Sequence, residues 1–152
     1  MSMPTALINV MNNAARKASR LLMRDFGEVE QLQVSRKGPG DFVTEADRRT
    51  EEILHEELHK ARPGFGFLME EGGVIEGENA NERWIIDPID GTTNFLHGIP
   101  HFAISIAVER DKELVAGMVF EPVRDEVFWA ERNEGAFLNR RRLRVSERSD
   151  MA

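Results

Sequence analysis

From Arg83 onward the chain is a series of apolar runs with very little between them. Trp84-Ile85-Ile86 comes first, then Phe102 to Val108, Leu114 to Phe120 and Glu126 to Ala130. Asp111-Lys112, Glu121-Pro122 and Asn133-Glu134-Gly135 punctuate them. Each run is of strand length and rich in β-branched and aromatic residues, so each is expected to be a strand. A parallel pair needs a crossover of about a dozen residues or more, and these connections are far shorter. Antiparallel pairing of consecutive strands is therefore expected.

The first part of the chain has a different period. Leu7, Met11, Ala14 or Ala15, Ala18, Leu22 and Phe26 recur at helical spacing, which predicts a helix from Pro4 to Phe26. Pro4 suits a first turn and Gly27 a stop. Ser35 to Gly40 reads as a polar loop broken by Gly38-Pro39-Gly40. Thr44 then reads as an N-cap, with Asp47 three residues on in the acidic place of a capping box. The helix it opens runs to about Ala61, with Ile53, Leu54 and Leu58 on its apolar face, and Pro63-Gly64 ends it. Phe65 to Met69 reads as a short strand, Gly72 to Asn81 as an acidic loop, and Leu143-Arg144-Val145-Ser146 as a last strand. The expected fold is α+β: two N-terminal helices packed on one face of an antiparallel sheet.

Composition removes several function classes. With 152 residues, 41% hydrophobic and 31% charged, the chain can build one globular core. A net charge of −7 makes nucleic acid an unlikely partner. No apolar run approaches the roughly 18 residues of a spanning helix, and no apolar leader is present. Having no cysteine excludes disulfides, thiolate ligands and cysteine nucleophiles. A cytoplasmic location is the expectation these features give.

The chemistry concentrates in Asp87-Pro88-Ile89-Asp90-Gly91-Thr92-Thr93-Asn94-Phe95. Carboxylate oxygens suit Mg²⁺, and backbone N–H groups after a glycine can face a phosphate. Glu70-Glu71 follows one apolar run, and Asp87 and Asp90 follow another. If the two strands are neighbours, four carboxylates converge at one edge of the sheet, a costly arrangement unless cations compensate it. The competing reading is a set of strand-end turns facing water. Asp90-Gly91 also has a plain reading as a hairpin turn. His55-Glu56-Glu57-Leu58-His59 matches the letters of a metalloprotease zinc helix, but it lies on a charged amphipathic helix with no third ligand nearby, so a solvated face is the preferred reading. His97 and His101 are expected to line a loop. Arg140-Arg141-Arg142 with Arg144 reads as a solvated turn or a subunit contact.

The nine residues from Asp87 to Phe95, preceded by Glu70-Glu71 and by Asp41-Phe42-Val43-Thr44-Glu45-Ala46-Asp47, resemble the inositol monophosphatase family. That family lies within the lithium-sensitive, metal-dependent sugar-phosphatase superfamily. Thr93-Asn94-Phe95 is similar to the inositol monophosphatase branch, because branches acting on nucleotide or histidinol phosphates carry other residues there. The resemblance implies Mg²⁺-dependent hydrolysis of a phosphate monoester, inositol 1-phosphate foremost, by metal-activated water. It implies Glu70, Asp87, the Ile89 carbonyl and Asp90 as metal ligands. Thr92, supported by Asp47, and Glu70 would activate the water. Glu70, Ile89, Asp90, Gly91 and Thr92 would contact the substrate, with the Gly91 and Thr92 N–H groups holding its phosphate. Glu71 would stand behind the direct ligands, and Lys37 would sit on a loop closing over the metals.

Two departures from the family pattern stand out. Met69 occupies a position where the family usually has glycine, so the turn carrying Glu70 is expected to be crowded or shifted. A second family motif, Trp-Asp followed by small residues, is not in this chain. By the resemblance, the aspartate of that motif would complete the second metal site. The resemblance thus implies that residues 1–152 are the N-terminal α+β domain of a longer phosphatase, dimeric when whole and poorly active as this portion alone. Some bacterial relatives are implicated in transcription antitermination, which gives an alternative role as a regulatory or binding protein.

Overall fold

The computed structural model describes residues 4–29 and 38–151. The first helix, α1 (Ala6–Glu28), starts where Thr5 caps it and accepts a hydrogen bond from the Ile8 N–H at 3.3 Å. Its buried stripe is Ile8, Met11, Ala14, Ala15, Ala18 and Leu22, the helical period expected from the sequence, except that Ile8 is buried and the expected Leu7 and Phe26 are half-buried. The second helix, α2 (Pro39–Ala61), starts earlier than expected. Gly38 occupies the N-cap and Pro39 the first turn, where a missing N–H costs nothing. Thr44 is therefore inside the helix, its hydroxyl donating to the Gly40 carbonyl at 3.0 Å. The Gly38-Pro39-Gly40 break is a helix start rather than the middle of a loop. The expected loop residues 35–37, Lys37 among them, lie outside the described residues.

Eight strands follow: β1 (Gly66–Met69), β2 (Gly73–Ile75), β3 (Glu82–Asp90), β4 (Ala103–Arg110), β5 (Glu113–Glu121), β6 (Glu126–Glu131), β7 (Gly135–Leu138) and β8 (Arg141–Leu143). A short helix, α3 (Thr92–Leu96), lies between β3 and β4. The strands form one sheet in the order β2-β1-β3-β4-β5-β6-β7-β8. From β3 to β8 it is the expected antiparallel meander. At the β4–β5 junction Asp111 and Lys112 both have positive φ (52° and 65°), as a tight primed hairpin turn requires.

Three details correct the reading of the strands. β1 and β3 pair in parallel, because the acidic segment between them contains β2, which turns back on the outer side of β1. That detour supplies the length a parallel connection needs. β7 was not anticipated, since Gly135 to Leu138 is short and only Phe137 is buried. The final strand is Arg141–Leu143, earlier than Leu143 to Ser146.

The core lies between the helices and one face of the sheet. Phe67, Trp84, Ile86, Ile104, Ile106, Val108, Met118 and Phe120 are buried at alternating positions of β1, β3, β4 and β5. They pack against the apolar stripes of α1 and α2, which include Ala46, Leu54 and Leu58. The two-helices-on-one-sheet architecture is thus as expected, with one parallel pair inside it.

Candidate active site

The parallel pairing of β1 and β3 creates the site. Met69 pairs with Ile86, so Glu70 and Asp87 follow side by side at the carboxyl ends of two neighbouring strands. Their carboxyls are within hydrogen-bonding reach of each other. The two strands that the sequence reading needed as neighbours are neighbours.

Asp87 and Asp90 are three apart, a spacing that sends side chains to opposite faces of a regular strand. Here the register shifts: Asp87 pairs with Ser105 but Asp90 with Ala103. One extra residue on β3 forms a bulge, Pro88 and Ile89 are both buried, and the alternation reverses. Both aspartates therefore leave the core side, and the Asp90 charge acts on Asp87.

The helix α2 brings Asp47 to the same place. A ligand oxygen from each of Asp47, Glu70 and Glu71 lies within 4.8 Å of the others, the only such group among the described residues. Asp47 is buried, while Glu70 and Glu71 are exposed. Burial, reinforced by Glu70, Glu71 and Asp87, pushes the Asp47 carboxyl up to about 7. Burial and the neighbouring Asp87 also raise Glu70. Asp87 is raised chiefly by burial and by Asp90, against a lowering hydrogen bond from Glu70. Oδ1 of Asp47 and Oδ1 of Asp87 are buried with no hydrogen-bond partner among the described residues. Unsatisfied buried carboxylate oxygens are costly, and an all-oxygen donor set is what a hard divalent cation takes. The residues present thus fit Mg²⁺.

The turn after β1 has its own support. Glu51, one helical turn beyond Asp47, is buried and accepts the N–H groups of Glu71 at 3.0 Å and Gly72 at 2.8 Å. The sequence reading did not single it out. Its signal was the i, i+4 spacing from Asp47, which puts both on one helix face. Met69 does not stand out into the site. It is buried and folds over Gly72, where an added Cβ would lie 2.6 Å from Met69 Cε. The bulk at 69 is accommodated by the absence of a side chain at 72.

After Asp90, Gly91 adopts φ 95°, a left-handed conformation that glycine supplies without strain. The space is tight as well, since a Cβ there would sit 3.2 Å from the His101 carbonyl. Thr92 opens α3. Asn94 holds the following loop by donating to the His101 carbonyl at 2.8 Å. Phe95 packs its ring against Phe26 of α1 and Phe102, with centroids 5.5 and 5.1 Å away. These contacts fix the backbone of Gly91 and Thr92 relative to the carboxylates. No hydrogen bond joins Thr92 to Asp47 among those of the described residues, although α3 packs on α2.

The other candidates sit elsewhere. His55 lies against Phe67, 4.4 Å between ring centroids, and stacks on His59 at 5.9 Å. Burial and His59 lower its pKa. Neither histidine joins a ligand cluster among the described residues. Nδ1 of His97 is 2.8 Å from the Thr93 carbonyl at the end of α3, a loop-closing role. Arg141 and Arg142 are on the edge strand β8, and Asp41 is exposed in the first turn of α2.

The inositol monophosphatase family profile matches residues 3–152. The chain belongs to the inositol monophosphatase family. It is 62% identical over 144 residues to the inositol-1-monophosphatase of Mesorhizobium japonicum, covering 95% of this chain and 54% of that one. It is 46% identical to the Nus factor SuhB of Pseudomonas aeruginosa, with 95% and 54% covered. Among solved structures, the extragenic suppressor protein suhB of Bartonella henselae superposes with a TM-score of 0.85 at 60% identity, covering 95% of this chain and 56% of that one. The inositol monophosphatase of Anabaena superposes with a TM-score of 0.78 at 30% identity, covering 95% and 51%. The chain thus spans about half the length of the relatives it matches. Among the described residues, no helix is long and apolar enough to cross a membrane.

Proposed function

We propose that this chain carries the metal- and phosphate-holding part of a Mg²⁺-dependent phosphomonoesterase whose substrate is inositol 1-phosphate. One observation carries the reading: Asp47 of α2 clusters with Glu70 and Glu71 after β1, Asp87 of β3 lies beside Glu70, and Asp47 and Asp87 each keep a buried, unpartnered oxygen. Glu70, Asp87, the Ile89 carbonyl and Asp90 would hold the cation, and Glu71 would support them from behind. Mg²⁺ bound there supplies Lewis acidity and positive charge against the developing negative charge of phosphate ester hydrolysis.

The remaining work falls to the chain's own groups. The Gly91 and Thr92 N–H groups donate to the phosphate oxygens and orient the phosphorus. The Thr92 hydroxyl and the Glu70 carboxylate position the attacking water, and Asp47 takes the proton that Thr92 relays. The residues 1–152 are read as the N-terminal α+β domain of a lithium-sensitive, cytoplasmic enzyme that is dimeric when whole. The further metal-binding aspartate and the sugar pocket then belong to the other half of the protein, and this chain alone turns over poorly.

The test is Asp90→Asn in the full-length protein. Metal-dependent release of phosphate from inositol 1-phosphate is expected to be abolished with the thermal transition preserved. Unchanged activity would refute the assignment.

A second reading has one specific observation behind it: relatives at 39–46% identity bear the name Nus factor SuhB. On that reading the chain serves a transcription antitermination assembly through the arginines at 140–144. Salt-sensitive capture of the antitermination machinery, lost on Arg→Glu changes there, is its expected signature.

A further inference from the structure

We propose that Glu51 is a positioning residue that sets the turn bearing Glu70 and Glu71 before any cation arrives. The proposal rests on the metal-site reading above and adds a residue to it. Glu51 is 5% exposed, so its carboxylate has left bulk water. Such burial is tolerable only where the oxygens are satisfied. Both are: Oε2 accepts from the Glu71 N–H at 3.0 Å, and Oε1 accepts from the Gly72 N–H at 2.8 Å. These are charge-assisted bonds, roughly twice as strong as neutral ones.

This carboxylate stands outside the group formed by Asp47, Glu70 and Glu71, and both of its oxygens serve backbone donors. It ties the tip of the β1–β2 hairpin to α2, the helix that also presents Asp47. One rigid helix thereby fixes the spacing between Asp47 and the Glu70-Glu71 pair. Gly72 completes the arrangement, because a Cβ there would press on Met69 Cε at 2.6 Å and lie 3.3 Å from Glu51 Oε1. A side chain at 72 would crowd both Met69 and the carboxylate. Without Glu51, the mutual repulsion of Glu70, Glu71, Asp87 and Asp47 would drive the hairpin tip away from the helix.

The test compares Mn²⁺ affinity of the chain, read from the free-Mn²⁺ electron spin resonance signal, in wild type, Glu51→Gln and Glu52→Gln. Glutamine keeps the shape but puts an N–H₂ against one of the two backbone donors. Residues that orient ligands from behind are worth about 10–100-fold in metal affinity, and a loss in that range is expected for Glu51→Gln. The exposed Glu52, paired with Arg48 on the same turn, is expected to leave affinity unchanged when replaced. Wild-type affinity in a folded Glu51→Gln would overturn the proposal. A wild type that binds no Mn²⁺ would instead remove the metal-site reading, and the proposal with it. Hydrogen exchange on the metal-free wild type gives a result that needs no variant. The Glu71 and Gly72 amides are expected to be protected before Mg²⁺ is added. Protection that appears only after Mg²⁺ would show that the cation, not Glu51, sets the turn.

Discussion

The strand β3 deals with charge in opposite ways at its two ends. At its start, Glu82 faces Arg110 and Arg83 faces Glu109 across the β3–β4 ladder, with N···O distances of 2.8 and 3.0 Å. Each charge there has its opposite within the sheet. At its end, Asp87 and Asp90 meet Glu70 from β1 and Asp47 from α2, and every group is acidic. The backbone differs in the same sense. The paired end is a regular ladder, whereas the acidic end holds a parallel neighbour, a bulge and a left-handed glycine. A fold that needed only stability would have no reason to treat the ends differently. The acidic end, with its raised carboxyl pKa values, has the character of a functional site, and an outside cation could complete it.

The largest effect should come from pH, which acts most strongly on the acidic end. Carboxyls whose folded pKa is raised bind more protons in the native state than in the unfolded one, so stability falls as pH rises. For Asp47 the window opens near its unfolded value of 3.8 and closes at about 7. One extra native proton gives a slope of up to about 1.4 kcal/mol per pH unit. Denaturant unfolding of the metal-free chain between pH 5 and 7.5 should show this decline, and Asp47→Asn should flatten it. A wild type whose stability rises across that range would contradict the acidic end as described.

Next in size is the response to Mg²⁺. A cation at about 100 times its dissociation constant stabilises the native state by about 2.7 kcal/mol. Wild-type chain at pH 8 should gain on that order, read as a rise in the thermal midpoint. Asp87→Asn should gain almost nothing from Mg²⁺, yet be no less stable than wild type without it, because one of the mutually repelling charges is gone. Equal Mg²⁺ gains in both proteins would separate Asp87 from the site.

The same contrast shows what can be read from residues alone. The regular parts were legible: α1 from its apolar period, and the meander from its short punctuation. Helix α2 was legible in its body but not at its start, since Pro39 reads equally as a break or as a first turn. The site was legible as a set of acidic residues but not as a geometry. Glu70 and Asp87 meet only because β1 and β3 are parallel, and that depends on β2, which has three residues and one half-buried position. Asp87 and Asp90 share a side only because of a bulge, which no alternation pattern announces. Glu51 escaped notice because an acidic residue on a helix ordinarily faces water. The roles of Gly91 and Thr92 toward phosphate came from the family resemblance rather than from spacing.

The smallest effect tests the paired end. Cross-strand charge pairs contribute roughly 0.2–1 kcal/mol, and half-exposed ones lie toward the lower part of that range. Arg110 and Glu82 are both partly open to water, with side chains 43% and 20% exposed. Arg110→Gln should therefore cost about 0.5 kcal/mol or less at low salt. The cost should shrink as salt screens the pair. It should also be the same with and without Mg²⁺, because a charge already neutralised within the ladder has nothing to offer a cation. Unfolding curves of Arg110→Gln in the two conditions measure this directly. A Mg²⁺-dependent cost would mean that the two ends of β3 are coupled along the strand, and that the acidic end does not act independently of the charge pairs at the other.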